Sequence, residues 1–300
     1  MTFDLGSSVE RAATPGPAVP DPAVPSRPTV PDALQADRKL VALDVDGTLM
    51  TYDEFLSEEI CDAVSDVRAA GHQVVLATGR PLVALMPVAH LLGIDDGWVV
   101  CSNGSVTARI APGSPNGFVL DDVVMFDPHH ALRVVRDHMP LAKVAVEEIG
   151  VGYWVNEVFP ERMLHGLHTV MEFEELCGRE TARVVAADAQ APSRDFQEAL
   201  RLLGLIDTYF VIGGTRWMDV APHGVTKASA LERLRGLMGI AREHTVAIGD
   251  GGNDLDMLAW AGRGVAMGHA EAQVIAAADE VTGSILDDGA VPVLRSLLTG

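Results

Sequence analysis

The sequence predicts an α/β protein: a Rossmann-like core with a parallel sheet, interrupted by an inserted α+β domain. Three observations carry that prediction. Over residues 38–106 short apolar runs alternate with helical patterns, and the alternation returns over 221–300. Between them, residues 107–220 read as hairpins and strands with scattered helices. The apolar runs of the alternating parts end in turns bearing Asp, Gly or Asn, at the sheet edge where open parallel sheets bind ligands.

Residues 1–37 stand apart. Seven of the 17 prolines fall between Pro15 and Pro31, spaced every two or three residues. Proline fixes φ and removes an amide donor, so neither helix nor sheet builds through this stretch. A disordered tail with polyproline character is expected.

The core opens with Leu40-Val41-Ala42-Leu43, a strand covered on both faces, ending in Asp44-Val45-Asp46-Gly47-Thr48. A helix follows, capped by Ser57, with Ile60, Val64 and Val67 on one face and Gly71 closing it. Gln73–Ala77 is the next strand and ends in Thr78-Gly79-Arg80. Pro81 opens a helix at its first position. Trp98–Cys101 is a third strand, ending in Ser102-Asn103-Gly104. Strand, helix, strand, helix, strand implies parallel pairing with right-handed crossovers.

In the insertion, Val106–Ile110 and Phe118–Leu120 flank a Pro/Gly/Asn loop and read as a hairpin. Asp127-Pro128 starts a helix, and a second runs over about Ser193–Leu203. Strands are expected at Lys143–Val146, Tyr153–Val155, Arg183–Ala186, Tyr209–Ile212 and Arg216–Val220. After Pro222 a helix spans Lys227–Met238, then come strand Thr245–Ile248, the loop Gly249–Asn253 and a helix through Trp260. Strand Val265–Met267, a short helix and strand Glu280–Val281 complete the sheet.

Charge narrows the function classes. Forty-two acidic against 22 basic residues give a formal net charge of −20. Nucleic acid and anionic membrane surfaces demand Lys/Arg patches, so neither is an expected partner. Cys61, Cys101 and Cys177 form no CxxC pair, which argues against a disulfide framework or zinc site. No apolar run approaches the roughly 18 residues needed to span a bilayer, and the N-terminus lacks a secretory signal's apolar stretch. A cytoplasmic location is expected.

The chemistry concentrates at the strand ends. Asp44 and Asp46 could share a cation, or divide nucleophile and acid–base roles. An ordinary Asp-Gly turn carries the same residues. The second cluster, Gly249-Asp250-Gly251-Gly252-Asn253-Asp254, separates these readings. If its strand neighbours Leu40–Leu43, Asp250 and Asp254 reach the same edge as Asp44. Carboxylates converging there repel unless a divalent cation neutralises them, and Mg²⁺ suits few carboxylates plus phosphate oxygens. Thr78-Gly79 offers a hydroxyl and an amide to a phosphate oxygen. Lysine is rare, only Lys39, Lys143 and Lys227. Lys227 starts a helix, where a cation opposes the dipole, which invites a functional reason.

These residues resemble the haloacid dehalogenase superfamily of phosphotransferases. LDVDGTL at 43–49, ATGR at 77–80, GVTKASAL at 224–231 and GDGGNDLDML at 249–258 match its motifs in order. The insertion is similar to a C2-type cap. SNGS at 102–105, DVAPHGVTK at 219–227 and GVAMGHA at 264–270 resemble the Cof-like branch with a C2B cap. His269 stands where that branch usually shows Asn, and Thr282–Gly289 follows its pattern loosely.

The resemblance implies a phosphatase acting on a small phosphorylated metabolite, a sugar phosphate foremost. Asp44 would be the nucleophile and Asp46 the acid and base. Mg²⁺ would be held by the Asp44 and Asp250 carboxylates and the Asp46 backbone carbonyl, with Asp254 in support. Thr78, Gly79, Lys227, Asn253 and the Val45 backbone would hold phosphate oxygens. A phosphomutase, or a mannosyl- or sucrose-phosphate-type phosphatase, shares this core and cap. A non-enzymatic binding protein on the same scaffold would have lost a catalytic position, and Asp44, Asp46, Lys227 and Asp250 are all present. Within the insertion, Trp154, Asn156, Arg183, Arg216 and Trp217 could contact substrate, though such residues are more often surface or core, and Glu147 and Glu148 are similarly ambiguous. The sequence sets no oligomeric state.

Overall fold

In the computed structural model, residues 38–160, 163–190, 193–203, 209–212 and 215–298 are described. The expected tail, 1–37, lies outside them. Leu40–Leu43 (β1) is apolar at every position because both of its faces are covered. Val41 and Leu43 enter one apolar layer, Leu40 and Ala42 the other. Fully burying each such leucine is worth about 1.5–3 kcal/mol. Gln73–Ala77 (β2) and Thr245–Gly249 (β12) flank β1 in parallel and repeat its pattern.

The first layer is closed by Glu58–Ala69 (α1), Leu82–Leu91 (α2) and Ala290–Ser296 (α9). The second is closed by Lys227–Met238 (α6), Leu255–Trp260 (α7) and Ala272–Ala277 (α8). Ser57 caps α1, accepting the Ile60 amide at 3.2 Å, as the sequence predicts. Pro81 and Pro128 sit one place earlier than expected, immediately before α2 and His129–His138 (α3).

The first sheet has eight strands in the order β14-β13-β12-β1-β2-β3-β4-β5. Gly97–Cys101 (β3), Arg263–Ala266 (β13) and Glu280–Val281 (β14) are parallel members. Val106–Ile110 (β4) and Phe118–Val123 (β5) form the expected hairpin, but it extends this sheet rather than the second one. The reason is apolar: Val106, Ala108 and Ile110 bury in the same layer as α2.

The second sheet begins with Lys143–Glu148 (β6), and its order is β10-β11-β9-β6-β7-β8. Its other strands are Gly152–Val155 (β7), Leu167–Val170 (β8), Val184–Asp188 (β9), Tyr209–Ile212 (β10) and Thr215–Val220 (β11). All neighbours are antiparallel except β7 and β8. Helix α3, Phe173–Cys177 (α4) and Ser193–Leu203 (α5) cover one face. Sequence periodicity missed β8 and α4, which are four and five residues long. The other face carries Ala145, Tyr153, Val185 and Trp217 together with Phe159 and Leu164.

Candidate active site

β1 and β12 lie side by side, so the turns that leave them share one sheet edge. Chain order reverses here: β2 and β3 follow β1 on one side, β12 and β13 lie on the other. Such a switch point leaves a crevice outside the strand ends.

Three carboxylates meet in it. Asp44, Asp250 and Asp254 each bring one oxygen to within 4.8 Å of the others. All three are buried. Lys227 Nζ donates to Asp44 Oδ1 and to Asp254 Oδ1, both at 2.6 Å. The expected local cost of a cation at the start of α6 therefore has its explanation: Lys227 is 0% exposed and aimed into the crevice. One ammonium among three carboxylates leaves an excess of negative charge. Burial pushes the Asp44 carboxyl well above the usual range, and Asp254 adds to it while Lys227 opposes. Burial likewise raises Asp250, with Asp254 adding. Burial alone would lower Lys227; Asp254 and Asp44 outweigh it and raise the ammonium above its ordinary value.

Neighbouring hydroxyls and amides fix the carboxylates. Thr48 Oγ1 donates to Asp250 Oδ1 at 2.9 Å, and the Tyr52 hydroxyl donates to Oδ2 at 2.7 Å. His269 Nε2 lies 3.5 Å from Asp250 Oδ2. Asp254 Oδ2 accepts the Asp250 and Gly251 amides at 3.0 and 2.9 Å, so its other oxygen is turned to Lys227. Gly47 adopts φ +82°, and a Cβ there would fall 2.2 Å from Asp250 Oδ2. Only glycine lets this turn pass so close. The Val45 carbonyl accepts the Leu49 and Met50 amides at 3.0 and 2.9 Å and winds the same turn.

Asp46 points elsewhere. Arg80 grips it with both arms, Nε to Oδ2 at 2.8 Å and Nη2 to Oδ1 at 2.6 Å. Its carboxylate is not part of the cation-sized cluster among the described residues. Arg80 Nη1 lies 3.6 Å from Glu54 Oε1, and His165 Nε2 reaches the same oxygen at 3.2 Å. Sequence reasoning valued Thr78-Gly79-Arg80 for a hydroxyl and an amide and missed the guanidinium. An Arg at a strand end facing two acidic turns was the available signal. Tyr52 was missed too, and nothing in the chain pattern marks it.

Thr78, Gly79 and Asn253 come together as expected, with Asn103 between them. Asn253 Nδ2 donates to Asn103 Oδ1 at 2.9 Å. A Cβ on Gly79 would lie 3.2 Å from Asn103 Oδ1 and 3.5 Å from Asn253 Nδ2. Thr78 Oγ1 accepts the Arg80 amide at 3.1 Å.

The second-sheet candidates divide. Asn156 serves the backbone, accepting the Val144 amide at 2.7 Å and donating to the Ala142 carbonyl at 3.3 Å. Arg179 stacks over Trp154 at 4.2 Å. Arg183 is buried in a bidentate pair with Asp219 at 2.8 and 2.7 Å. It also donates to the Tyr153 hydroxyl at 2.9 Å, and Trp217 Nε1 donates to Asp219 at 2.8 Å. The Arg216 side chain lies outside the described residues.

The crevice fits a divalent cation: hard oxygen donors converge, buried, with only one lysine to balance them. Among the described residues no helix is long and apolar enough to cross a membrane.

Comparison with known proteins agrees with this geometry. Residues 41–122 and 158–294 match the haloacid dehalogenase-like hydrolase family. The chain is 30% identical over 275 residues to a pyridoxal phosphate phosphatase of Escherichia coli, covering 87% of this chain and 98% of that one. It is 25% identical over 266 residues to a 5-amino-6-(5-phospho-D-ribitylamino)uracil phosphatase of Bacillus subtilis, covering 86% and 95%. A solved haloacid dehalogenase-like hydrolase from Bacteroides thetaiotaomicron is similar with a TM-score of 0.70 at 25% identity, covering 87% of this chain and 99% of that one. The chain belongs to the haloacid dehalogenase-like hydrolase family.

Proposed function

We propose that the chain is a Mg²⁺-dependent phosphatase that hydrolyses a small phosphorylated metabolite, foremost a sugar phosphate, through an aspartyl-phosphate on Asp44. The observation that carries this reading is the buried group of Asp44, Asp250 and Asp254 around Lys227 at a sheet switch point. Pyridoxal phosphate enters as a second substrate to assay, because the Escherichia coli relative is named for it.

Asp44 attacks the phosphorus while the ester oxygen departs with a proton from Asp46. Asp46 then takes a proton from water, which attacks the phosphoryl group and frees Asp44. To reach the leaving oxygen, Asp46 must part from Arg80, whose Nε and Nη2 then turn to the leaving group while Nη1 stays near Glu54. Lys227, the Thr78 hydroxyl, the Gly79 amide, Asn253 and the Val45 backbone hold the equatorial oxygens. A carboxylate approaching a phosphate ester needs countercharge, and bound Mg²⁺ supplies it by polarising the phosphate and offsetting the nucleophile. Asp44, Asp250 and the Asp46 carbonyl would hold the cation, with Asp254 in support.

In this reading the insertion, 107–220, supplies a C2-type cap from the second sheet and its helices, while the β4–β5 hairpin stays with the first sheet. The second sheet shuts over the crevice, excludes water and meets the leaving group. Cys61, Cys101 and Cys177 are unpaired, which suits a reducing, cytoplasmic setting.

A phosphate-release screen over sugar phosphates, nucleotides and pyridoxal phosphate tests the reading. Turnover should vanish on chelation with EDTA and return with Mg²⁺. Full activity in EDTA, or no release from any ester, contradicts it.

A further inference from the structure

Glu147 lies on the second sheet yet bonds to the turn that leaves β3 of the first. It is 2% exposed at the end of β6. Its Oε2 accepts Ser102 Oγ at 2.6 Å, and its Oε1 has no hydrogen-bond partner. A buried carboxylate with one oxygen unsatisfied costs more than a single hydroxyl bond returns. Packing alone would favour an apolar residue here, as at Ala145 on the same face.

What Glu147 holds is a strained turn. Ser102, Asn103 and Gly104 have φ +49°, +56° and +105°. Two of these three left-handed residues are not glycine, so the turn is strained. The turn touches three segments of the crevice. The Ser102 amide donates to the Arg80 carbonyl at 2.9 Å, and the Asn103 amide donates to the Thr78 carbonyl at 3.1 Å. Asn103 Oδ1 accepts Asn253 Nδ2 at 2.9 Å. Gly104 presses on the Thr226 carbonyl just before Lys227, where a Cβ would sit 2.2 Å away. Glu147 is itself pinned: its amide donates to the Arg183 carbonyl at 3.0 Å, and its carbonyl accepts Thr181 Oγ1 at 3.1 Å.

We infer that Glu147 is a positioning residue: through Ser102 it sets the turn that aligns Gly79, Asn253 and Lys227 on phosphate. The placement of the second sheet is thereby coupled to phosphate binding. This inference rests on the phosphatase reading above.

The test compares wild type with Glu147→Ala, Glu147→Gln, Ser102→Ala and the Glu147→Ala/Ser102→Ala double variant. The readouts are p-nitrophenyl phosphate kinetics, inhibition by orthovanadate and folding by circular dichroism. Glu147→Ala and Ser102→Ala should each raise KM and the vanadate inhibition constant about tenfold, with a smaller change in kcat, as expected for one bond to a charged group. The double variant should be no worse than the singles. Glu147→Gln keeps an acceptor for Ser102 and should stay within about twofold of wild type. A folded Glu147→Ala variant with wild-type KM and vanadate inhibition overturns the inference, as do additive losses in the double variant. If Glu147→Ala does not fold, Ser102→Ala decides by the same two constants. A wild type that neither turns over nor responds to vanadate overturns the phosphatase reading, and does so before any variant is made.

Discussion

Lys227→Met keeps a long buried side chain at the start of α6 and removes its charge. In the wild type this ammonium serves Asp44 and Asp254 at 2.6 Å each, fully out of water. Removing one partner of a buried pair costs about 3–5 kcal/mol, because the remaining charge stays buried and unpaired. For a folded body of this size that corresponds to a fall in Tm of roughly 6–20 °C. The deficit should depend on pH with a definite sign. Burial and Asp254 already raise Asp44, and Lys227 is what opposes them, so its loss raises Asp44 further. A carboxyl raised on folding holds its proton more tightly in the folded state. Its penalty is complete above the folded pKa and absent below the unfolded value of about 3.9. The gap between variant and wild type should therefore narrow as pH falls from neutrality, read by urea unfolding in EDTA across that range. Mg²⁺ should narrow the gap as well, since it binds the folded cluster and not the unfolded chain. A variant as stable as wild type at neutral pH refutes the electrostatic reasoning, and so does a gap that ignores pH.

Gly47→Ala should fold with a loss of about 1–2 kcal/mol, since its φ is left-handed. Its Cβ must also displace Asp250, so calorimetry should find weakened Mg²⁺ binding and assays a large loss of turnover. Arg183→Ala should destabilise the protein by about 3–5 kcal/mol in urea unfolding, because buried Asp219 loses its guanidinium partner. Arg80→Ala frees Asp46 from its only bidentate partner among the described residues. It should lower kcat/KM by about tenfold or more in steady-state assays, the cost of losing one charge-assisted contact to the reacting group.

Much of the crevice was legible because its parts follow from local rules. Asp44, Asp250 and Thr78 sit at the ends of apolar runs, and a parallel sheet carries such ends to one edge. Lys227 was legible through a local penalty, a cation at a helix start, which burial against two carboxylates explains. The contacts that escaped are long-range and carry no periodicity. Tyr52 meets Asp250 across 198 residues, and Glu147 meets Ser102 from another sheet. Only the folded chain sets those pairs. The hairpin at Val106–Val123 was recognised, but alternation cannot say which sheet a hairpin joins. Burial of Val106, Ala108 and Ile110 in the first apolar layer decides it. Strand β8 has no buried residue, so neither an apolar run nor an alternation marks it, and the five residues of helix α4 barely exceed one turn.

The central claim is that Asp44 carries the phosphoryl group. Acid quenching during turnover of a radiolabelled phosphate ester, followed by peptide mapping, tests it most directly. Label on the peptide containing Asp44, absent in a folded and inactive Asp44→Asn variant, is the expected result. Undiminished phosphate release by Asp44→Asn, or label on another residue, would contradict the claim.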